Sequence, residues 1–479
     1  LDFLAETKKI RESDWKIKNI PKDLTKRQVE ITGPPVPKKM FISALNSGAN
    51  CYMTDFEDSL TPTFDNLLQG QLNLKDAISR KIDFIDQKSG KEYKLNEKIA
   101  VLIVRPRGLH LDEKNITIDN KRISGTFFDL GLSLFHNAKK LIENGSGPYF
   151  YLPKLEHYLE CRLLNDIISF CEKKLGLNLG TVKVTVLIET INAVFQMDEF
   201  LWELKDHIVG LNAGRWDYLF SYQKVYRNTQ KVILPDRSKV NMFVPFMSNY
   251  NKLLVDTCHR RGAFGMGGMS AQVIAKANPK EVNERALAGV KKDKERELNQ
   301  GNDGAWVAHP SLVEPVKNIF EKNFNGPNQL NKFNNEKISR RDLLDEPKID
   351  NEITEQGLRE NLNEGIEYMA FWKIGTGCCV VNYLMADAAT CEVSRAQLWV
   401  WLKYKVKLND GRMVDEKLID ELIKEELQKI NQKFKTWKER SGDKSLDNVS
   451  FEGAAKTFKD MITKKDFDDF LTLPLYEKI

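Results

Sequence analysis

The sequence predicts an α/β fold: a (β/α)8 TIM barrel with a C-terminal all-helical domain and a short N-terminal segment. One observation is a series of short apolar, β-branched runs that are continuous rather than alternating, which is typical of parallel strands covered on both faces. A second is that helix-like stretches lie between several of these runs. A third is that polar residues follow directly after most of them. Strand–helix alternation repeated eight times predicts a closed barrel.

The predicted barrel strands are the apolar runs themselves. In chain order they cover residues 51–54, 99–104, 149–152, 182–188, 208–211, 242–246, 263–266 and 305–308. Residues 127–143 and 157–174 have the apolar spacing of amphipathic helices and lie between consecutive runs. This order of elements supports a barrel rather than separate sheet and helix layers.

Polar residues stand where the predicted strands end. Barrel enzymes place their chemistry at the carboxyl ends of the strands, so these residues are candidates for an active site. The alternative is that charged residues simply terminate strands. The residues concerned are Asp55, Glu57, Asp58, Arg105, Arg107, Lys154, Glu156, Glu189, residues 212–217 and His309.

The chain divides into three predicted regions. Residues 1–30 form the N-terminal segment, 31–325 the barrel and 326–479 the helical domain. The stretch 320–347 is rich in Asn, Lys and Asp without a clear period and is predicted to be a connector. After it, residues 357–373, 388–405 and 416–440 have helical periodicity.

Composition excludes several classes of protein. The chain has 479 residues, 41% hydrophobic and 29% charged, which is typical of globular domains rather than disordered chains. A net charge of +5, with both signs interleaved, indicates neither a nucleic-acid nor a membrane partner. Seven cysteines without a CxxC pair favour reduced thiols, and we find neither a signal peptide nor a C-terminal S-K-L. We therefore expect a cytoplasmic protein.

Glu189 and Asp217 are candidate metal ligands. They lie about one βα unit apart, so in a barrel they end adjacent strands. Two carboxylates with open positions suit Mg²⁺, which keeps waters and accepts substrate oxygens. The alternative is that each carboxylate pairs with a neighbouring Arg or Lys.

Gly214, Arg105 and Asp387 have equally specific alternatives. Gly214 precedes Asp217 and can let backbone N–H groups turn inward to hold a small carboxylate, or it can form an ordinary turn. Arg105 can stabilise an oxyanion or enolate, or form a salt bridge across the barrel mouth. Asp387 precedes a helix and can be its N-cap; a catalytic role requires the helical domain to fold over the barrel mouth.

Residues 205–220, KDHIVGLNAGRWDYLF, closely resemble the signature of the A-type malate synthases of the glyoxylate cycle. The resemblance covers nearly the whole chain and implies that residues 1–30 are a remnant of that family's N-terminal domain. Further matching segments are ITGP at 31–34, DFEDS at 55–59, RPRG at 105–108, HRRG at 259–262, WVAHP at 306–310, DAATCEVSR at 387–395 and FLTLP at 470–474.

The resemblance implies a Claisen condensation of acetyl-CoA with glyoxylate, followed by hydrolysis of malyl-CoA to malate and CoA. It implies that Asp387 is the base that deprotonates the acetyl methyl group and that Arg105 stabilises the enolate. Further implied roles are Mg²⁺ binding by Glu189 and Asp217, glyoxylate carboxylate binding by the amides of Gly214, Trp216 and Asp217, and a place beside the metal for Glu57.

One departure from the family pattern lies next to the implied base: Ala386 stands where the family usually has Glu. Because Asp387 is retained, we expect activity. Two other functions fit the same motifs. One is a Mg-dependent barrel lyase acting on malyl-CoA or citramalyl-CoA thioesters, and the other is a non-catalytic binding protein on the same fold. The Asp387 motif and the helical domain favour the synthase.

Overall fold

A computed structural model describes residues 1–230, 232–344, 351–441 and 444–479. Eight parallel strands form a closed barrel, as predicted. Pairing of Val29 in the first strand with Ala305 in the last closes the ring. The strands are β1 (Val29–Gly33), β2 (Cys51–Asp55), β3 (Val101–Arg105), β4 (Tyr149–Leu152), β5 (Lys183–Ile188), β6 (Ile208–Ala213), β7 (Phe264–Ser270) and β8 (Gly304–Val307).

Two strand assignments differ from the prediction. β1 was missed because Glu30 interrupts its apolar pattern; the carboxylate is buried and paired with Arg27 at 2.6 Å. β1 begins at Val29, just before the boundary drawn at residue 31. The predicted strand at 242–246 is wrong: these residues form a turn and the start of a helix at Pro245. Proline lacks the N–H that a central strand needs and is favoured in the first turn of a helix.

Helices surround the barrel and form the C-terminal part. None of those within the described ranges is long and apolar enough to cross a membrane. In chain order they are α1 (Lys8–Glu12), α2 (Lys38–Leu45), α3 (Phe64–Ile78), α4 (Gly125–Glu143), α5 (Tyr158–Leu175), α6 (Met197–Glu203), α7 (Arg215–Tyr226), α8 (Pro245–Arg261), α9 (Lys280–Gln300), α10 (Val313–Asn323), α11 (Arg340–Leu344), α12 (Glu355–Trp372), α13 (Ala388–Lys403), α14 (Glu416–Ser441), α15 (Phe451–Thr463) and α16 (Thr472–Tyr476).

Alternation along the strands separates two apolar layers. Cys51 and Met53 of β2 pack inside the barrel with Trp306, whereas Tyr52 between them packs outward against α2 through Phe41. This period of two is the geometry of a β-strand. Because both faces are covered, the strand runs are apolar throughout.

The C-terminal helices have a core of their own and rest on the barrel mouth. A short hairpin, Cys379–Val381 with Leu384–Ala386, joins them to the barrel: the Met385 N–H donates to the Ala271 carbonyl at 2.7 Å. The three predicted helices correspond to α12, α13 and α14. The predicted connector at 320–347 contains the end of α10 and all of α11, and its last three residues lie outside the described ranges.

Two further hairpins decorate the barrel. Each consists of a pair of antiparallel strands inserted between barrel elements. They are Asp83–Ile85 with Glu92–Lys94, between α3 and β3, and Asp112–Ile118 with Lys121–Ser124, between β3 and α4.

Candidate active site

A cleft opens at the carboxyl ends of the barrel strands, beneath the start of α13. The structure brings most of the predicted site residues together in its lining: Arg105, Glu189, Gly214, Trp216, Asp217 and Asp387. Glu57 is buried next to this lining and contacts it through Lys154.

Arg105 is held in place by the strand beside it. Its Nε and Nη2 donate to the two carboxylate oxygens of Asp55 at 2.6 and 2.5 Å, and the two residues are register partners on β3 and β2. The salt bridge considered as the alternative role of Arg105 therefore exists. It uses one edge of the guanidinium, and Nη1 lies 3.5 Å from both Glu57 and Asp58. A bidentate pair of this kind fixes the orientation of the remaining donor.

Lys154 lies among the acidic side chains at the mouth. Its ammonium contacts Glu57 at 2.5 Å, Asp58 at 2.8 Å and Asp217 at 3.3 Å. Its backbone N–H donates to Glu189 Oε1 at 2.6 Å. We call Arg105, Lys154 and the carboxyl groups around them the mouth cluster. The carboxyl groups are those of Asp55, Glu57, Asp58, Glu189, Asp217 and Asp387.

Burial and the two cations shift the pKa of several carboxyl groups in this cluster. It raises the pKa of Glu57, Glu189 and Asp217 above ordinary carboxyl values, although the charge of Lys154 opposes the shift in each case. Burial would also raise the pKa of Asp58, but Lys154 and Arg105 outweigh it and the pKa lies below its ordinary value. The cluster thus contains more carboxyl groups than its two cations can pair.

Two carboxylate oxygens show where the pairing is incomplete. Glu57 Oε2 and Asp217 Oδ1 are buried and accept no hydrogen bond. Their cationic neighbours, Arg105 and Lys154, stand at the longer distances of 3.5 and 3.3 Å. Buried acceptors left in this state cost free energy unless a ligand satisfies them.

The residue types fit Mg²⁺, which prefers carboxylate oxygens and retains open positions. Glu189 and Asp217 supply two such groups in the cleft, and Glu57 lies close to Asp217 through their shared contact with Lys154. Among the described residues, no group of three or more His, Cys, Asp or Glu side chains is arranged to hold a metal ion as it stands.

The turn at Gly214 packs against a candidate ligand. A Cβ at this position would lie 2.6 Å from Glu189 Cβ and 2.7 Å from Glu189 Oε2, so only glycine lets the β6–α7 turn approach Glu189 this closely. Gly214 is the N-cap of the twelve-residue helix α7, and Trp216 and Asp217 lie in its first turn. First-turn N–H groups have no partner within the helix and favour an anion.

Asp387 is an N-cap, as one of the two interpretations expected, and it also lines the cleft. It is the N-cap of α13 and accepts a hydrogen bond from the Thr390 N–H at 3.2 Å. Burial, reinforced by nearby Asp58, raises its pKa to about 7, against the opposing charge of Arg105. The helical part does fold over the mouth, since the Ala388 N–H donates to the Asp58 carbonyl at 3.1 Å.

Ala386 stays within the protein core. It is 1% exposed, pairs with Cys379 across the hairpin and belongs to the apolar core of the C-terminal helices. A buried methyl group therefore occupies the position next to Asp387, where the resembled family usually has a carboxylate.

Sequence reasoning gave no role to three members of the mouth cluster. The sequence marks Lys154, Asp55 and Asp58 only as polar residues that follow predicted strands. The signal that could have identified Asp55 is its position opposite Arg105 on the neighbouring strand. For Lys154, no short motif indicates that its side chain reaches the cluster.

Fold and site together define a class: a TIM-barrel enzyme whose acidic cleft is capped by a helical domain that contributes a buried carboxyl group. Comparison with known proteins agrees. The family model described as "Malate synthase, TIM barrel domain" matches residues 101–346, and "Malate synthase, C-terminal" matches residues 352–479.

Curated relatives match over the full chain. A malate synthase of Myxococcus xanthus is 48% identical, and the match covers 100% of this chain and 86% of the relative. Malate synthase A of Escherichia coli is 43% identical, over 99% of this chain and 87% of the relative. The chain belongs to the malate synthase family.

A solved structure shares the fold. The pyruvate/acetyl-CoA ternary complex of Haloferax volcanii malate synthase superposes with a TM-score of 0.52 at 12% identity, over 88% of this chain and 96% of that chain. At this identity the likeness supports the architecture alone.

Proposed function

We propose that the protein is a malate synthase, an acyltransferase that condenses acetyl-CoA with glyoxylate and hydrolyses the malyl-CoA formed to malate and CoA. The observation that carries this proposal is the meeting of Asp387 and Arg105 in one cleft. One is a buried carboxyl group with a pKa raised by burial to about 7, and the other is an oriented cation.

Asp387 and Arg105 account for enolate formation. The α-proton of a thioester is weakly acidic, so a general base with a pKa near the working pH is effective. Asp387 removes this proton from the acetyl methyl group. Arg105, oriented by Asp55, stabilises the enolate oxygen with a donor that needs no reorganisation.

The start of α7 accounts for glyoxylate binding. The amides of Gly214, Trp216 and Asp217 bind its carboxylate at the positive end of the helix. Glu189 and Asp217 would hold Mg²⁺, with Glu57 beside it, and the ion would supply Lewis acidity to the condensation. The enolate carbon attacks the aldehyde carbon; as the new C–C bond forms, the aldehyde π bond breaks and its oxygen takes up a proton.

Release of CoA thiol tests this function. Thiol should appear from acetyl-CoA only when both glyoxylate and Mg²⁺ are present. Under the same conditions Asp387→Asn should release little. If no mixture releases thiol although calorimetry shows that acetyl-CoA binds, the protein only binds acetyl-CoA and the proposal is refuted.

A lyase is distinguished in the reverse direction. A barrel lyase would cleave malyl-CoA into acetyl-CoA and glyoxylate without releasing thiol, whereas the synthase should convert malyl-CoA to malate and free CoA. The full-length similarity to proteins named malate synthase favours the synthase. A cytoplasmic location stays a prediction, to be checked by fractionating cells that express the full-length protein.

A further inference from the structure

Lys154 contacts more of the mouth cluster than any role described above requires. Its ammonium reaches Glu57, Asp58 and Asp217, and its backbone N–H binds Glu189. One residue thus touches both candidate metal ligands and the two carboxylates beside them. The side chain is only 5% exposed, so these contacts are made away from bulk water.

The backbone at Lys154 is shaped for this double contact. Lys154 follows the end of β4 with φ +55°, in the left-handed region that residues with a Cβ rarely occupy. Such conformations persist where the surroundings determine them and cluster at functional sites. Here the turn aims the N–H at Glu189 while the side chain extends towards Glu57 and Asp217.

Charge makes the contact important. Arg105 uses two of its nitrogens to bind Asp55. Lys154 is therefore the cation in closest contact with Glu57, Asp58 and Asp217. Removing one partner of a buried ion pair leaves an uncompensated charge and is strongly destabilising. An ammonium is also a compact point charge on a flexible stem, unlike the rigid fork of arginine.

We propose that Lys154 is a positioning residue that holds the acidic cluster together in the metal-free protein and contends with the divalent cation for the same carboxylate oxygens. This inference rests on the proposed function in that the cation is taken to be Mg²⁺. Asp217 carries the carboxylate oxygen for which lysine and metal compete. This Oδ1 lies 3.3 Å from the Lys154 ammonium and accepts no hydrogen bond. Lys154 therefore stabilises the preformed site in the metal-free protein and, by the same contacts, lowers the affinity of the site for Mg²⁺.

Lys154→Met tests the proposal because it keeps the length of the side chain and removes its charge. Metal-free Lys154→Met should melt at a lower temperature than wild type, and Mg²⁺ alone should raise its melting temperature by more than it raises that of wild type. Titration calorimetry should show Mg²⁺ binding about 10-fold tighter, since one competing unit charge is gone. If the Mg²⁺ affinity of Lys154→Met is unchanged or weaker, Lys154 does not compete with the metal ion and the proposal is overturned.

Two further variants keep the test decisive. Lys183→Met is the matched control: Lys183 donates to the Asp206 carbonyl at the amino end of β5, away from the cluster, so its loss should leave Mg²⁺ affinity unchanged. Lys154→Arg keeps the charge and should retain metal-free stability. If Lys154→Met does not fold without metal, rescue of folding by Mg²⁺ supports the proposal and failure of rescue overturns it.

Failure of the proposed function would look different. A wild-type protein that binds Mg²⁺ but releases no CoA thiol refutes the synthase and leaves the comparison of melting and Mg²⁺ affinity readable. In an active enzyme, Lys154→Met should lower kcat while the Mg²⁺ concentration for half-maximal activity also falls. A merely structural lysine would not shift that concentration.

Discussion

Two ionic clusters of the described residues, one inside the barrel and one at its mouth, differ in how completely they are paired. The interior cluster consists of Arg27, Glu30, Tyr151, Thr185 and Trp306. Arg27 donates to Glu30, Thr185 and Tyr151 at 2.6, 2.9 and 2.9 Å. Tyr151 and Trp306 complete the set by donating to Glu30 at 2.5 and 2.9 Å. One cation meets one carboxylate, and neutral donors fill the remaining positions.

The mouth cluster uses similar residue types with the opposite result. Its carboxyl groups outnumber Arg105 and Lys154, and buried oxygens of Glu57 and Asp217 accept no hydrogen bond. The comparison teaches that a closed set of partners serves the stability of a barrel, whereas a set left open is available to ligands.

The largest effect is expected at Asp387. Asp387→Asn keeps the N-cap of α13, because Asn caps about as well as Asp, but it cannot accept the acetyl proton. Turnover should fall by about 10²- to 10⁴-fold. The direct measurement is exchange of acetyl-CoA methyl protons with deuterated solvent, in the presence of a glyoxylate analogue that cannot condense. An Asn variant that turns over and melts like wild type would reduce Asp387 to a cap.

Arg105→Lys should follow, with a loss of kcat of about 10²-fold, in line with removal of an oxyanion donor. An ammonium cannot bind Asp55 at two points and still present a donor to the enolate. Arg107→Lys is the matched control in the same motif. Arg107 is paired with Glu113 and Asp129 and lies outside the cleft, so this variant should lose stability while keeping kcat. The reverse pattern would assign the catalytic cation to Arg107.

Glu189→Gln and Asp217→Asn should each weaken Mg²⁺ binding by roughly 10-fold or more, because each removes one anionic ligand. Titration calorimetry measures this directly. Glu30→Gln in the interior cluster provides the contrast: it should lower the denaturant midpoint and leave Mg²⁺ affinity unaltered. Equal Mg²⁺ affinity in wild type and in both mouth variants would place the metal elsewhere.

The smallest effect is a pH dependence of stability. Burial raises the pKa of Asp387 from its ordinary value of 3.8 to about 7, so the metal-free folded state binds this proton more tightly than the unfolded state. The proton on Asp387 stabilises the folded state fully below pH 3.8, and this stabilisation is lost as the pH rises through about 7. Asp387→Asn lacks this loss, so its melting temperature should gain on wild type across that interval. A constant difference would contradict the shift.

The barrel was predictable because continuous apolar runs and intervening helices survive in the sequence as local patterns. β1 was hidden because Glu30 faces the barrel interior, and its partner Arg27 is revealed only by the three-dimensional structure. Residues 242–246 misled because an apolar run that ends in Pro245 and Phe246 can equally begin a helix.

That Glu189, Gly214 and Asp217 lie together in the cleft was predictable, because a motif contains or adjoins each of them. The contacts of Lys154 were not, since they depend on a left-handed turn and on four carboxylates from three separate segments. The position of Asp387 above the mouth depends on docking between two cores, which no local pattern encodes.

The hairpin before Asp387 gives this docking a further consequence. Met385 donates to Ala271, and Val273 donates to Tyr383, so the C-terminal part reaches the barrel by extending a strand of it. Asp387, the proposed base, therefore lies at the start of α13 in the C-terminal part, and the proposed anion-binding turn at Gly214 lies on the barrel. Separating the two would require opening of the hairpin together with the contact of α13 on the barrel, where Val393 and Ala396 join the barrel core. Amide hydrogen exchange at Met385 and Val273 would then report the opening that silences the enzyme, and heat would inactivate the protein before it unfolds the barrel.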